Sequence, residues 1–229
     1  YKALAFTLTY TFVVTPLVLL LGFFIALAVN RLPGLMKGPT IFVSLLPMIV
    51  TPLIGSLILF WMIDAKGVIG GSLQLIFDNP DLSLKASPTL TWVTLIVYGV
   101  WHSAPFAFVV FYAGLQTVPT DTLESAMIDG ATRWQRVRHV ILPHLAPLLV
   151  FIALIQLMDN FRVFEPIVGF NAEANATSLS WIIYNDLRGS DGTMLFSSAA
   201  ATSMLTIIGV CILLAPVVMR TWRDNRQRA

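Results

Sequence analysis

Charged residues are scarce in this chain. Lys, Arg, Asp and Glu together make up 11% of its 229 residues, and the formal net charge at pH 7 is +2. Soluble globular domains carry about 25% charged residues, so this composition excludes an ordinary soluble domain. So small a net charge also gives no reason to expect a nucleic-acid partner. Cysteine is almost absent, and the single Cys211 excludes an internal disulfide and a cysteine-based metal cluster.

Chemical motifs are missing as well. The sequence contains no G-x-x-x-x-G-K-[ST] motif, so we expect no ATP site of the Walker A type in this chain. No metal-ligand constellation or catalytic triad is apparent, so we expect no metal, no catalytic residue and no bound cofactor. Hydrophobic residues, in contrast, make up 57% of the chain, and the mean hydropathy is +0.81. These values are typical of an integral membrane protein.

Five apolar runs are long enough to cross a bilayer, which takes about 20 residues of helix. No alternation of period two recurs along the chain, so we expect an all-α integral membrane protein with a single membrane domain over residues 1–229. A short helix is also predicted in the loop after the second run, from the segment GVIGGSLQLIF. The five predicted spans cover about residues 7–30, 39–63, 88–115, 144–164 and 194–219.

The basic residues predict the orientation of the spans. Nine Lys and Arg side chains lie at one set of span ends and five at the other, and the richer side is expected to be cytoplasmic. This places the loop after the third span and the C-terminus in the cytoplasm. Five spans leave Tyr1 outside, and we therefore expect an earlier span before it. The nine residues are Arg31, Lys37, Arg133, Arg136, Arg138, Arg220, Arg223, Arg226 and Arg228.

Small and polar residues in the second span allow two interpretations. Pro47 and Pro52 each remove a backbone donor and are expected to bend the helix. Four small or polar residues are expected to share one helical face, namely Ser44, Thr51, Gly55 and Ser56. This face either lines a solute path or allows close packing of the helix against a neighbour.

The third and fourth spans contain the candidate solute-binding residues. His102, flanked by Trp101, either contacts a solute or only hydrogen-bonds a neighbouring helix. In the fourth span, Asp159 is expected about 22 Å above the helix start, still at membrane depth. Ionisable groups there face a water-filled cavity or a partner charge. Arg162 can pair with Asp159 or Glu165, each three residues away, and the alternative to a binding role is a self-neutralised ion pair at the membrane edge.

Residues 119–143 form a polar island between two spans and predict a helix-turn-helix. Asp121 is expected to cap the first helix together with Glu124, and Gly130 either to break that helix or to pack it closely. Thr132 and Gln135 predict a second capping box, and the next span is expected to begin after Pro143. Such a loop either docks into another protein or lies on the membrane surface. An apolar stripe is predicted on the second helix, at Trp134, Val137 and Ile141.

The island resembles the cytoplasmic EAA loop of permease subunits of bacterial binding-protein-dependent ABC importers. That loop reads E-A-A, three residues, G, nine residues, then I-x-L-P. Matches at this spacing are Glu124, Ala126, Gly130, Leu142 and Pro143. The carbohydrate branch, with its maltose-permease-like subunits, is indicated by Asp129, Ala131 and Trp134, and by the segments 101–106 and 161–166.

The resemblance implies a function, a set of partners and six spans in the core. The chain would be a non-enzymatic permease subunit that carries a sugar or sugar derivative across the bacterial inner membrane. Its partners would be a second permease subunit, two ATPase subunits that bind ATP and Mg²⁺, an extracytoplasmic solute-binding protein and the lipid bilayer. The loop would dock as a coupling helix on the ATPase through Glu124, Ala126, Asp129, Gly130, Ala131, Arg133, Trp134, Leu142 and Pro143.

A sugar is the expected cargo because aromatic and hydrogen-bonding side chains suit polyols. The alternatives are an importer of the same architecture for a polyamine or phosphate, an ion-coupled secondary transporter using Asp159 or Glu165, and a scaffold that recruits a soluble enzyme. The candidate substrate-binding residues are Trp101, His102, Asp159, Asn160, Arg162 and Glu165.

Overall fold

Helices account for the regular structure of the chain. The computed structural model describes residues 2–64, 66–76, 88–189 and 194–228, with the backbone alone for residues 217, 218 and 220–228. No strand occurs in these ranges. The helices are α1 (Lys2–Asn30), α2 (Gly34–Ile49), α3 (Pro52–Met62), α4 (Val68–Ile76), α5 (Pro88–Leu115), α6 (Thr120–Ile128), α7 (Arg133–Arg136), α8 (Leu142–Phe161), α9 (Glu165–Gly169), α10 (Leu179–Arg188) and α11 (Phe196–Arg228). A π-helical turn, Val137–Ile141, joins α7 to α8.

The predicted membrane architecture is confirmed. Four helical segments are long and apolar enough to cross a membrane, and the pair α2 and α3 makes a fifth if it counts as one broken span. The third span has the predicted bounds, and the short helix after the second span is present as α4. The fourth is longer than expected, because α7, the π-turn and α8 run on as one helical segment, Arg133–Phe161.

The second span is not the single bent helix that its length suggests. The axes of α2 and α3 differ by 94° across a break at Val50 and Thr51. Thr51 precedes Pro52, and the proline ring disfavours the helical region for the residue before it. Thr51 accordingly has φ −62° and ψ 144°, which is an extended conformation. Pro47, in contrast, stays inside α2.

The break separates the four residues predicted to share one helical face. Gly55 and Ser56 are buried on α3, where the Ser56 hydroxyl donates to the Leu53 carbonyl at 2.8 Å. A Cβ atom added to Gly169 of α9 would collide with the Ser56 side chain. For Gly55 and Ser56, therefore, the packing interpretation is the correct one.

The core lies between α1 and α5. Apolar side chains from the two helices, among them Val14, Val18 and Phe108, are fully buried there. A Cβ atom added to Gly22 would lie 2.6 Å from the Cβ of Ala107, so the two backbones approach as closely as the glycine allows. This small-residue contact is typical of helix pairs in membranes. Helix α8 packs against both α1 and α5, which brings its C-terminal end next to the middle of the core pair.

Candidate functional site

The loop between α5 and α8 begins with α6, and Gly130 ends that helix. Gly130 has φ +74°, which is the left-handed region that favours glycine. Its N–H donates to the Met127 carbonyl at 3.1 Å, and the Ala131 N–H donates to the Ala126 carbonyl at 2.9 Å. These two bonds are a Schellman motif, which satisfies the last carbonyls of α6. Of the two roles predicted for Gly130, breaking the helix or packing it closely, the structure shows the break.

The start of α6 differs from the prediction. Pro119, in an extended conformation, occupies the N-cap position, and no side chain caps the helix there. Asp121 lies inside the first turn instead, so the predicted capping by Asp121 and Glu124 is wrong. The fixed φ of proline favours the start of the helix two positions earlier. Asp121 still lies in the first turn, where a negative charge interacts favourably with the helix dipole.

The capping box predicted on α7 is confirmed. The Gln135 N–H donates to the Thr132 hydroxyl at 3.3 Å, and the Thr132 N–H donates to the Gln135 side-chain oxygen at 2.7 Å. Together with the Schellman motif, this box fixes the turn between α6 and α7 through local hydrogen bonds alone.

The turn encloses a groove of about 340 Å³, which we call the docking groove. Arg136 lies in it with its Nε buried and without a hydrogen-bond partner. An added Cβ at Gly130 would have nothing within 4 Å, so the space above this residue is open. The lining residues are Ala126, Asp129, Gly130, Ala131, Gln135, Arg136, His139 and Val140.

The predicted coupling residues divide between the groove and its surroundings. Four of them line the groove, and five lie around it with exposed side chains. Trp134 is 63% exposed, so of the predicted apolar stripe only Val137 is buried. Sequence analysis missed Arg136 and His139 as groove residues. The residues around the groove are Glu124, Arg133, Trp134, Leu142 and Pro143.

A second concave site lies at the other end of α8, and we call it the central cavity. Its volume is about 570 Å³, and side chains from α1, α2, α3, α5, α8 and α9 contribute to it. Five of the six predicted substrate residues line it. They are His102, Asp159, Asn160, Arg162 and Glu165.

Trp101 does not line the central cavity. Its side chain is 42% exposed and lies in an apolar groove on the outer surface of α1 and α5, next to Leu17 and Val97. Successive residues of a helix point about 100° apart, so His102 faces the cavity and Trp101 faces away from it. Nothing in the geometry supports Trp101 as a solute contact of this cavity.

The charged residues of the cavity are arranged as one ion pair and one separate carboxylate. Arg162 Nη2 donates to Asp159 Oδ1 at 3.0 Å, which confirms one of the two predicted pairings. Within the described ranges, no ion pair joins Arg162 to Glu165. The paired side chains remain 62% and 52% exposed for Arg162 and Asp159, so the pair lies at the open side of the cavity.

Asn160 has a packing role in addition to its place on the cavity wall. Its Nδ2 donates to the Thr15 hydroxyl at 3.1 Å, and both side chains are buried. This bond ties α8 to α1. Polar side chains that bond across helices stabilise helix packing inside a membrane.

The sequence patterns missed Gln156 and Tyr10 of the cavity, whereas Tyr98 flanks the predicted residue His102. Gln156 is 4% exposed, and its Oε1 has no hydrogen-bond partner. His102 Nδ1 is likewise buried without a partner, and its ring stacks on Tyr98 with a 5.8 Å centroid distance. Gln156 lies one helical turn before Asp159 in an apolar run, and that i, i+3 spacing could have identified it. Tyr10 comes from α1, and no local pattern connects it to α8.

The comparisons with known proteins agree with this architecture. The family model described as "Binding-protein-dependent transport system inner membrane component" matches residues 18–228. The trehalose/maltose transport system permease protein MalF of Thermococcus litoralis is 28% identical over 207 residues, covering 88% of this chain and 68% of that protein. The trehalose transport system permease protein SugA of Mycobacterium tuberculosis is 32% identical over 190 residues, covering 82% and 60%. This chain therefore spans only part of the length of these relatives.

The structural comparison supports the same fold. A bacterial ABC transporter that imports the acidic polysaccharide alginate superposes with a TM-score of 0.84 at 22% identity, covering 97% of this chain and 78% of that chain. The resemblance inferred from the EAA-type loop is confirmed, including its carbohydrate branch, to which the named sugar permeases belong. The chain belongs to the family of binding-protein-dependent transport system inner membrane components.

Proposed function

We propose that this chain is the permease subunit of an ATP-driven importer that carries a neutral sugar across the membrane. One observation supports the coupling of its two sites most directly. A single helical segment, Arg133–Phe161, bears docking-groove residues at one end and central-cavity residues at the other. A movement imposed on the docking groove is therefore transmitted along one helix to the cavity wall.

The docking groove suits an ATPase subunit as its partner. The groove is open above Gly130, and exposed apolar side chains such as Ile128 and Trp134 surround it. These features fit a loop that docks on another protein through the turn between α6 and α7. We assign this role to an ATPase that binds ATP and Mg²⁺ itself, which places the loop and the C-terminus in the cytoplasm. Two copies of the ATPase, a second permease subunit and an extracytoplasmic solute-binding protein would complete the importer.

The central cavity suits a polyol. The unpartnered Gln156 Oε1 accepts hydrogen bonds, and the ring of His102 offers a further polar atom. Buried polar atoms without hydrogen-bond partners are energetically unfavourable. A solute rich in hydroxyl groups would supply partners to these atoms and remove that penalty. Two of the relatives described above are trehalose permeases by name, which supports the same class of solute.

The charges of the cavity favour a neutral sugar over an anion or a polyamine. Asp159 and Glu165 carry two formal negative charges and Arg162 one positive charge, so their sum is −1. Phosphate or an acidic sugar would be repelled by the excess carboxylate. A polyamine would need more than one uncompensated carboxylate. An ion-coupled mechanism through Asp159 is disfavoured as well, because Arg162 already pairs with this carboxylate.

The decisive experiment measures ATP hydrolysis by the co-purified complex in lipid, with its solute-binding protein and a panel of solutes. The panel contains trehalose, maltose, an alginate oligosaccharide, spermidine and inorganic phosphate. We expect one of the neutral sugars to stimulate hydrolysis several-fold. The variant Gly130→Asp, which places a charged side chain in the open space of the docking groove, should abolish that stimulation. If no ATPase co-purifies and an ion gradient alone drives uptake, the proposed function is wrong.

A further inference from the structure

The π-turn Val137–Ile141 interrupts the helix that joins the docking groove to the central cavity. The Leu142 N–H donates to the Val137 carbonyl five residues earlier, instead of to the residue four earlier. Such a turn contains one residue more than an α-helical turn. π-Helices are rare and occur mostly as single turns inside α-helices, frequently at functional sites.

Proline chemistry permits this turn but does not dictate it. Pro143 has no N–H to donate to the His139 carbonyl, and in an α-helix its ring would collide with that carbonyl. Pro147 and Pro105, however, lie inside helices that remain α-helical. The π-turn therefore needs a cause beyond proline.

Each end of the helix has its own anchor, α7 in the docking loop and α8 against α5, and the extra residue lies between the two anchors. On the docking side, the capping box of Thr132 and Gln135 fixes the start of α7. On the membrane side, the His144 Nε2 lies 3.1 Å from the Thr117 hydroxyl at the end of α5, and Leu145 is fully buried. The turn between these points is less constrained, because only Val137 among its five residues is buried.

A side chain of the turn supplies a hydrogen bond of its own. His139 Nδ1 lies 3.0 Å from the Gln135 carbonyl oxygen, and since a carbonyl can only accept, the ring donates. The Gln135 carbonyl thereby keeps a partner while the turn is π-helical, even where a backbone i→i−4 bond to it is lost.

We propose that the π-turn is an adjustable joint that changes between π-helical and α-helical hydrogen bonding during the transport cycle. Expulsion of the extra residue from the turn would rotate one end of the helix relative to the other by about 100° and move it by about 1.5 Å. The groove and the cavity lie about 30 Å apart along the helix, so this step would re-orient the cavity wall from a distance. The joint rests on the proposed importer function, because it requires a partner that acts on the docking groove.

Deletion of Arg138 in the complete importer tests the joint. The deletion removes the extra residue and leaves a continuous α-helix with both ends in their original phase. We expect the complex to assemble and hydrolyse ATP at its basal rate, while uptake of trehalose or maltose falls at least about tenfold. The matched control Arg138→Ala removes the exposed side chain but keeps the length, and it should transport normally. Uptake within about twofold of wild type in the deletion variant would show that the turn is a static insertion.

Hydrogen exchange on the wild-type complex gives a second and independent measurement, which decides the question if the deletion variant does not assemble. Exchange is compared between the nucleotide-free complex and the complex trapped with ATP and vanadate. We expect the amides of residues 138–142 to change their exchange rate at least about tenfold, while α7 and the middle of α8 change little. Equal rates in the two states at residues 138–142 would overturn the proposal. Failure of the importer function itself is seen separately, as wild-type complex without sugar-stimulated hydrolysis.

Discussion

The docking groove and the central cavity lie at opposite ends of one helix and are built in different ways. Hydrogen bonds between residues at most five apart in sequence fix the turn of the groove, from Ala126 to Gln135. The cavity instead depends on contacts between distant segments, such as the bond from Asn160 to Thr15 and the bond from Tyr98 to the Pro52 carbonyl at 2.7 Å.

This difference has consequences for function. The part of the groove that local bonds fix, Ala126 to Gln135, keeps its shape while the surrounding helices move, as a docking surface must. A cavity held by contacts between helices changes shape whenever those helices shift against each other. Substitutions in the groove should therefore act on coupling to the partner, and substitutions in the cavity should act on the solute or on helix packing.

The largest effect is expected from Gly130→Asn. Asparagine adopts the left-handed conformation more readily than other non-glycine residues, so the turn at φ +74° should persist. Its side chain would then fill the open space above the groove, and sugar uptake should fall at least about tenfold through loss of ATPase docking. Uptake and ATPase co-purification are measured together. Wild-type transport by this variant would mean that glycine serves only the backbone and that no partner lies over it.

A smaller effect is expected from Asp159→Ala. The pair with Arg162 is more than half exposed, so its removal should change the free energy of unfolding by less than about 1 kcal/mol. Uptake should nevertheless be impaired several-fold, because the carboxylate lines the central cavity. Assembly of the complex is the control measurement. Normal uptake would remove Asp159 from the set of solute-binding residues.

The variant Gln156→Leu separates solute binding from packing. The buried Oε1 has no partner, so its loss should leave the thermal unfolding midpoint unchanged or raise it slightly. The sugar concentration for half-maximal ATPase stimulation should rise about fivefold, since an acceptor for a solute hydroxyl is lost. Asn160→Leu is the matched comparison, and it should lower the midpoint because it breaks the bond to Thr15. A lower midpoint in both variants would contradict a binding role for Gln156.

The same distinction explains what the sequence could predict. The third span and the capping box of Thr132 and Gln135 follow from composition and local spacing, and the structure confirms both. The break at Gly130 is one of the two roles that the spacing allows. The cap of α6 was predicted wrongly, because Pro119 and Asp121 both favour a helix start and only the structure shows which one occupies the N-cap. Local sequence rules do not distinguish between two possible N-cap residues that lie only two positions apart.

Long-range features were less predictable. The sequence predicts the conformational restriction of Thr51 before Pro52. It does not predict that the two halves of the span differ in direction by 94°. Ionisable residues in the fourth span indicated a cavity or a partner charge. The structure has both, because these residues line the central cavity and Asp159 pairs with Arg162. The place of Tyr10 in the cavity and the direction in which Trp101 points from its helix were not predictable. Both depend on how α1 packs against α5. The π-turn was missed as well, since Pro143 suggests a new helix rather than a continuous one.

The smallest effect is expected from Thr132→Ala, which tests whether the docking groove is held by local bonds. The substitution removes the hydroxyl that accepts from the Gln135 N–H, and loss of such a cap costs about 1 kcal/mol. Because the Schellman motif at Gly130 remains, we expect the groove to loosen rather than collapse, with uptake reduced about twofold and faster hydrogen exchange in α7. Thr132→Ser, which keeps the hydroxyl, should restore both. A tenfold loss in the alanine variant with unchanged exchange in α7 would instead mean that Thr132 contacts the ATPase directly, and the groove would then extend beyond the residues that line it.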